Sequence, residues 1–179
     1  MSVEPWQRAE IAGPKKSLVF AKPQVVVTMV KTAKRPILIV GHKTLENGLG
    51  EEKIVDYVIQ MAKTAEMPVV ATAHIFGEFV KRGFKPAAWM SLMDITNRLQ
   101  DTEWKGLDGM GQYDLALFMG FPYYMQWVIL SSLKHASPDL KTINLDRFYH
   151  PHATCSFPNS SLEYWIKCLK VIIGELEAK

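Results

Sequence analysis

Residues 36–41 read PILIVG and residues 114–120 read DLALFMG. Each holds an unbroken apolar run, Pro36–Val40 and Leu115–Met119, closed by a glycine, Gly41 in the first case and Gly120 in the second. Continuous apolarity, in place of alternation, suits a strand buried on both faces of a parallel sheet. Upstream of the first run, QVVVTMVKTAK places Val26, Val30 and Ala33 on one helical face. Arg35-Pro36 stops that helix, because the residue before proline avoids the α region. Downstream, residues 51–65 carry Ile54, Val55, Val58, Ile59, Ala62 and Ala65 at helical spacing, with Glu51 and Glu52 expected in the first turn. PVVAT, opened by Pro68, reads as the next strand, and Ile75 to Lys81 as a short helix.

The alternation continues. A brief strand is expected near Ala87 to Met90, then a helix capped by Ser91 and running to Gln100. DTEWKGLDGMGQY, residues 101–113, is a turn-rich break between two halves. After DLALFMG come a helix over Tyr123–His135, a strand over Leu140–Leu145 and a last helix starting at Ser160, with Glu163 three residues on. Strands alternating with helices predict a Rossmann-like, doubly wound parallel α/β sheet with helices on both faces. One such domain is expected over residues 24–179, preceded by an extended arm over residues 1–23 that carries Pro5, Pro14 and Pro23.

The formal net charge of +3 and a charged fraction of 22% point neither to nucleic acid nor to an anionic membrane as partner. The longest apolar stretches, Val25–Val30 and Leu115–Phe121, are far short of the roughly 20 residues of a membrane span. MSVEPWQRAEIAGPKKS has no apolar core, so it does not read as a secretory signal, and the expected compartment is the cytoplasm. Two cysteines, Cys155 and Cys168, read as reduced thiols and cannot supply a four-thiolate cluster.

Ligands of doubly wound sheets bind beyond the carboxyl ends of the strands. That rule selects eight candidate cofactor-binding residues: Gly41, His42, Thr72, Ala73, Gly120, Phe121, Asp146 and Arg147. GHKTLENG is neither GxGxxG nor a P-loop. Gly41 would still let backbone approach a ligand, and His42 with Lys43 could meet a phosphate. Thr72-Ala73 and Gly120-Phe121 each follow a strand and open a helix, where amide donors suit an anion. Asp146 at a strand end is either a ribose acceptor or a loop cap, and the spacing leaves both open. His150, His152 and Cys155 lack an evident fourth metal ligand, so no metal site is expected. No catalytic constellation emerges either. Phe121, Tyr123, Tyr124 and Trp127 are core or partner surface, and Phe121 with Trp127 makes a homodimer contact an expectation.

Two resemblances add to this. AKRPILIVG, PVVAT, YDLALFMG and TINLDRFYHP are similar to strand ends in the central domain of thiamine-diphosphate enzymes and in deoxyhypusine synthase-like NAD/FAD-binding folds. More specifically, AKRP with ILIVG, WKGLDG (104–109) with GQYD (111–114), DRFYHPHA (146–153) and Ser156-Phe157 resemble the epsilon subunit of the archaeal acetyl-CoA decarbonylase/synthase complex, from about Lys22 onward. Phe148 stands where that pattern has tyrosine. The resemblance implies an accessory subunit, non-catalytic alone, in a carbon monoxide dehydrogenase of one-carbon metabolism and methanogenesis. Its partner would be a large nickel–iron–sulfur alpha subunit, in a two-alpha, two-epsilon component. The implied role is to stabilise that component or assist electron transfer to FAD. The alternative is a freestanding module for FAD or another adenine nucleotide.

Overall fold

The computed structural model describes residues 15–20, 22–45, 48–49 and 52–178. Its elements in chain order are β1 Leu18–Val19, α1 Gln24–Thr32, β2 Pro36–Val40, β3 Gly48–Leu49, β4 Glu52–Lys53, α2 Ile54–Thr64, β5 Val69–Ala71, α3 Ala73–Lys81, β6 Ala88–Trp89, α4 Leu92–Gln100, β7 Leu115–Met119, α5 Tyr123–Ala136, β8 Lys141–Asn144, β9 Cys155–Ser156 and α6 Leu162–Glu177. Among the described residues, seven strands form one sheet in the order β1-β9-β8-β7-β2-β5-β6, parallel throughout, while β3 and β4 make a small antiparallel ladder apart from it. The expected doubly wound α/β architecture is what the chain adopts.

PILIV explains the layering. Leu38 and Val40 face a cluster with residues of α1, α2, α3 and α6, whereas Ile37 and Ile39 face one with residues of α4 and α5. Successive side chains of a strand point to opposite faces, so a run apolar at every position requires helices on both. At about 25 cal/mol per Å² of apolar surface, this two-sided burial is the main stabilising term. β2 pairs with β7 along its whole length, from Pro36 opposite Leu115 to Val40 opposite Met119. The chain winds from β2 outward to β5 and β6, returns to β7, and then winds the other way through β8 and β9. The switch point therefore lies between Gly41 and Gly120.

Three details differ from expectation. Glu52 lies in β4, ahead of α2, and Asp56 takes the capping role: its Oδ2 accepts from the Lys53 amide at 3.2 Å. The cap of α6 is Ser161, whose Oγ accepts from the Tyr164 amide at 3.3 Å, while Ser160 Oγ donates to the Pro158 carbonyl. The end of the expected arm joins the sheet, with Leu18 opposite Cys155 and Val19 opposite Ser156. Residues 1–14 of that arm lie outside the described residues.

The turn-rich break ties into the amino ends of β2 and β7. Asp114 accepts from the amides of Lys34 and Arg35, both at 2.8 Å, and the Arg35 guanidinium meets Asp108 Oδ1 at 2.6 Å and lies over the Tyr113 ring. AKRP, WKGLDG and GQYD are thus parts of one structural clamp, at the end of the sheet opposite the candidate site. Among the described residues, no helix is long and apolar enough to cross a membrane.

Candidate functional site

At the switch point the chain closes on itself. The Gly41 amide donates to the Met119 carbonyl at 2.8 Å, and the Lys43 amide donates to the Gly120 carbonyl at 2.9 Å. A Cβ on Gly41 would sit 2.3 Å from the Gly120 carbonyl oxygen, and one on Gly120 would sit 2.4 Å from Thr44 Cγ2. Gly120 also holds φ +81°, a region where only glycine is unstrained. These two glycines therefore permit a close approach of backbone to backbone.

The eight candidate residues divide into two groups. Gly41, His42, Thr72 and Ala73 gather at the ends of β2 and β5, where the His42 and His74 rings lie 6.2 Å apart. The Thr72 amide donates to the Val40 carbonyl at 3.0 Å, and the carbonyl of Thr72 accepts the first amides of α3. Gly120, Phe121, Asp146 and Arg147 instead line a cavity of about 210 Å³ at the ends of β7 and β8. Lys43, Thr44, Tyr123, Gln126, Phe148, His150 and Trp165 share its wall.

Asp146 is built into this cavity as a loop clamp. Its Oδ1 accepts from the Gly120 amide at 2.8 Å, and the neighbouring Phe121 amide also favours its charged form. Burial pushes its carboxyl up to about 7, against the pull of those two amides and of Lys43. Behind it, Asn144 is fully satisfied: Oδ1 accepts from Gln126 Nε2 at 2.8 Å and from the Asp146 amide at 3.1 Å, and Nδ2 donates to the Phe148 carbonyl at 2.6 Å and to Ser156 Oγ at 2.9 Å. Ser156 Oγ accepts in turn from the His150 amide at 3.0 Å. His150 stacks on Tyr123 with ring centroids 4.0 Å apart, and burial holds its imidazole down at about 3, so it is neutral at ordinary pH. Three buried polar atoms of the cavity wall, Asp146 Oδ2, Gln126 Oε1 and His150 Nδ1, have no hydrogen-bond partner among the described residues. A buried unpartnered acceptor costs about 1–3 kcal/mol, so three in one wall is an expensive arrangement for a purely structural region.

Sequence reasoning missed Gln126 and Asn144. Gln126 was detectable, since it occupies a position of the buried stripe that continues through Ile129, Leu130 and Leu133. Asn144 lies inside a strand and gave no such signal. The aromatic cluster splits: Phe121 is core, Tyr123 pairs with His150, and Tyr124 is 71% exposed. Cys155 and Cys168 are buried free thiols. Among the described residues, no three His, Cys, Asp or Glu side chains gather as a metal ion would require.

The family described as CO dehydrogenase beta subunit/acetyl-CoA synthase epsilon subunit matches residues 1–173. The acetyl-CoA decarbonylase/synthase complex subunit epsilon of Methanothermobacter thermautotrophicus is 33% identical over 171 residues, covering 96% of this chain and 95% of its own. Subunit epsilon 1 of the same complex in Archaeoglobus fulgidus is 44% identical over 159 residues, covering 87% and 83%. Subunit epsilon of Methanothrix soehngenii is 36% identical over 156 residues, covering 87% and 80%. The clamp made by AKRP, WKGLDG and GQYD and the cavity wall carrying DRFYHPHA are thus the architecture of a chain that belongs to the CO dehydrogenase beta subunit/acetyl-CoA synthase epsilon subunit family.

Proposed function

We propose that this chain is an accessory subunit of a cytoplasmic acetyl-CoA decarbonylase/synthase complex, where it stabilises the large nickel–iron–sulfur alpha subunit in a two-alpha, two-epsilon component. The observation that carries this reading is end-to-end likeness: a subunit of that name is 33% identical across 96% of this chain. The chain's part is then structural, a rigid sheet presenting a shaped surface to its partner. Co-expression with the alpha subunit tests it. A stable complex with carbon monoxide oxidation, and no such activity from this chain alone, is the expected result. Oxidation of carbon monoxide by the isolated chain would defeat the accessory role.

The three unpartnered polar atoms favour a second reading, a site for FAD or another adenine nucleotide. At about 210 Å³ the cavity suits a nucleoside-sized portion rather than a whole dinucleotide. Asp146 Oδ2 and Gln126 Oε1 would accept from ribose hydroxyls or an exocyclic amine, and Lys43 and Arg147 would meet phosphate. Bound FAD would supply electron transfer. This chain's residues would hold and orient it, with no amide cradle at Gly41 or Gly120, whose donors are already engaged. Calorimetry with FAD, NAD and coenzyme A decides the matter: binding that Asp146→Ala weakens by about 1–3 kcal/mol supports it, and no heat at millimolar ligand sinks it.

A further inference from the structure

Helices that follow parallel strands begin at the carboxyl end of the sheet, so the first turns of α4, α5 and α6 all lie on the face that holds the cavity. Exposed apolar side chains gather at those turns, beside the acidic Asp94 of α4 and Glu163 of α6. Met93 of α4, Tyr124 of α5 and Tyr164 of α6 are exposed, and so are Trp89 at the end of β6 and Phe148 in the loop after β8. Val128, one turn further along α5, is 58% exposed. First turns ordinarily collect acidic residues that complement the helix dipole. α5 has none, and puts Tyr124 and Met125 there. α4 and α5 run side by side, joined by Gln100 Nε2 donating to Ser132 Oγ at 2.5 Å, so Met93 and Met125 come from neighbouring helix starts. Exposed apolar groups concentrated on one face mark an interaction surface, and Tyr and Trp are the residues that anchor such surfaces.

We infer that this carboxyl-end face is the docking surface for a larger protein partner, one whose contact region sets carboxylates opposite the cavity mouth within an apolar surround. Charge selects that occupant. Lys43 and Arg147 stand at the mouth, and neither enters an ion pair among the described residues. The Arg147 guanidinium instead lies 4.4 Å from the centroid of the exposed Phe148 ring, a cation–π pair ready to take a carboxylate. A second copy docked about a two-fold axis through the cavity mouth would set these cations near their own images, because only residues close to the axis meet themselves. Tyr124 and Phe148 are the aromatic anchors, and Lys43 and Arg147 steer the approach.

The inference rests on the assembly reading above, and the test separates the two. The full chain is titrated against the purified large subunit of the complex by biolayer interferometry. Tyr124→Asp with Phe148→Asp is expected to weaken association about 100-fold, the scale of two lost anchors. Lys43→Glu is expected to weaken it about tenfold. Val80→Asp with Met110→Asp, exposed apolar positions away from this face, is expected to change it less than about twofold. No association by the unaltered chain would overturn the assembly reading and the inference with it. Unaltered-level association by Tyr124→Asp with Phe148→Asp would overturn the surface assignment alone. Gel filtration and thermal melting of the isolated chain complete the test. A dimer abolished by the double substitution, or a melting point lowered by it, would show the face covered by a second copy or from within, and would also overturn the assignment.

Discussion

Asp146 combines a clamp and a liability in one side chain. It holds the Gly120 amide at 2.8 Å, yet burial raises its carboxyl to about 7. An unfolded carboxyl titrates near its ordinary value of about 3.9. Between these values the folded chain binds more protons than the unfolded one, so this group's contribution to stability falls as pH rises from about 4 to about 7. His150 acts oppositely: held down at about 3, it removes stability as pH falls below its ordinary value. Replacing Asp146 by Asn removes the first slope only. The stability of Asp146→Asn relative to the unaltered chain should therefore rise by a few kcal/mol across that window, as read from urea melts at stepped pH; a flat difference would contradict the burial argument. Gly41→Ala should cost several kcal/mol, because the new Cβ meets backbone that cannot swing aside. A melting point within a degree or two of the unaltered chain would refute that closure.

At the level of elements, most starts and stops follow local chemistry. Ser91 Oγ accepts from the Asp94 amide at 3.1 Å, so Ser91→Ala should destabilise by about 1 kcal/mol through the lost cap of α4. Gly77 in α3 and Gly174 in α6 meet nothing within 4 Å of an added Cβ. Their backbone is helical, so Gly77→Ala and Gly174→Ala should each stabilise by about 0.5–1 kcal/mol, measured as a higher melting temperature. Where expectation and structure part, the cause is an element too short for periodicity. Glu52–Lys53 pairs with Gly48–Leu49 as a two-residue strand, which displaces Glu52 from the first turn of α2. β1 and β9 are likewise two residues each, and nothing in a dipeptide of the chain marks it as a strand.

For the whole molecule, the sheet divides labour between its ends. The amino end carries the Arg35–Asp108–Asp114 clamp, and the carboxyl end carries the cavity and the apolar face. Asp114→Asn should thus destabilise by about 1–3 kcal/mol, through weaker acceptance of two backbone amides, while leaving partner association unchanged. Joint loss of stability and association would tie the two ends together. The parallel two-faced sheet is legible in the residues alone, because PILIV and LALFM are apolar at every position and only burial on both sides satisfies them. The same runs mark the strand ends, where doubly wound sheets in general place a ligand. How those ends combine follows from the packing of the folded chain. The order of the strands puts Gly41 against Gly120, which closes the switch point, and brings Gln126, Asp146 and His150 into one wall although they come from a helix and a separate loop. Periodicity reports which face of an element is buried. It carries no information on which other element lies opposite, and the site is made of such meetings.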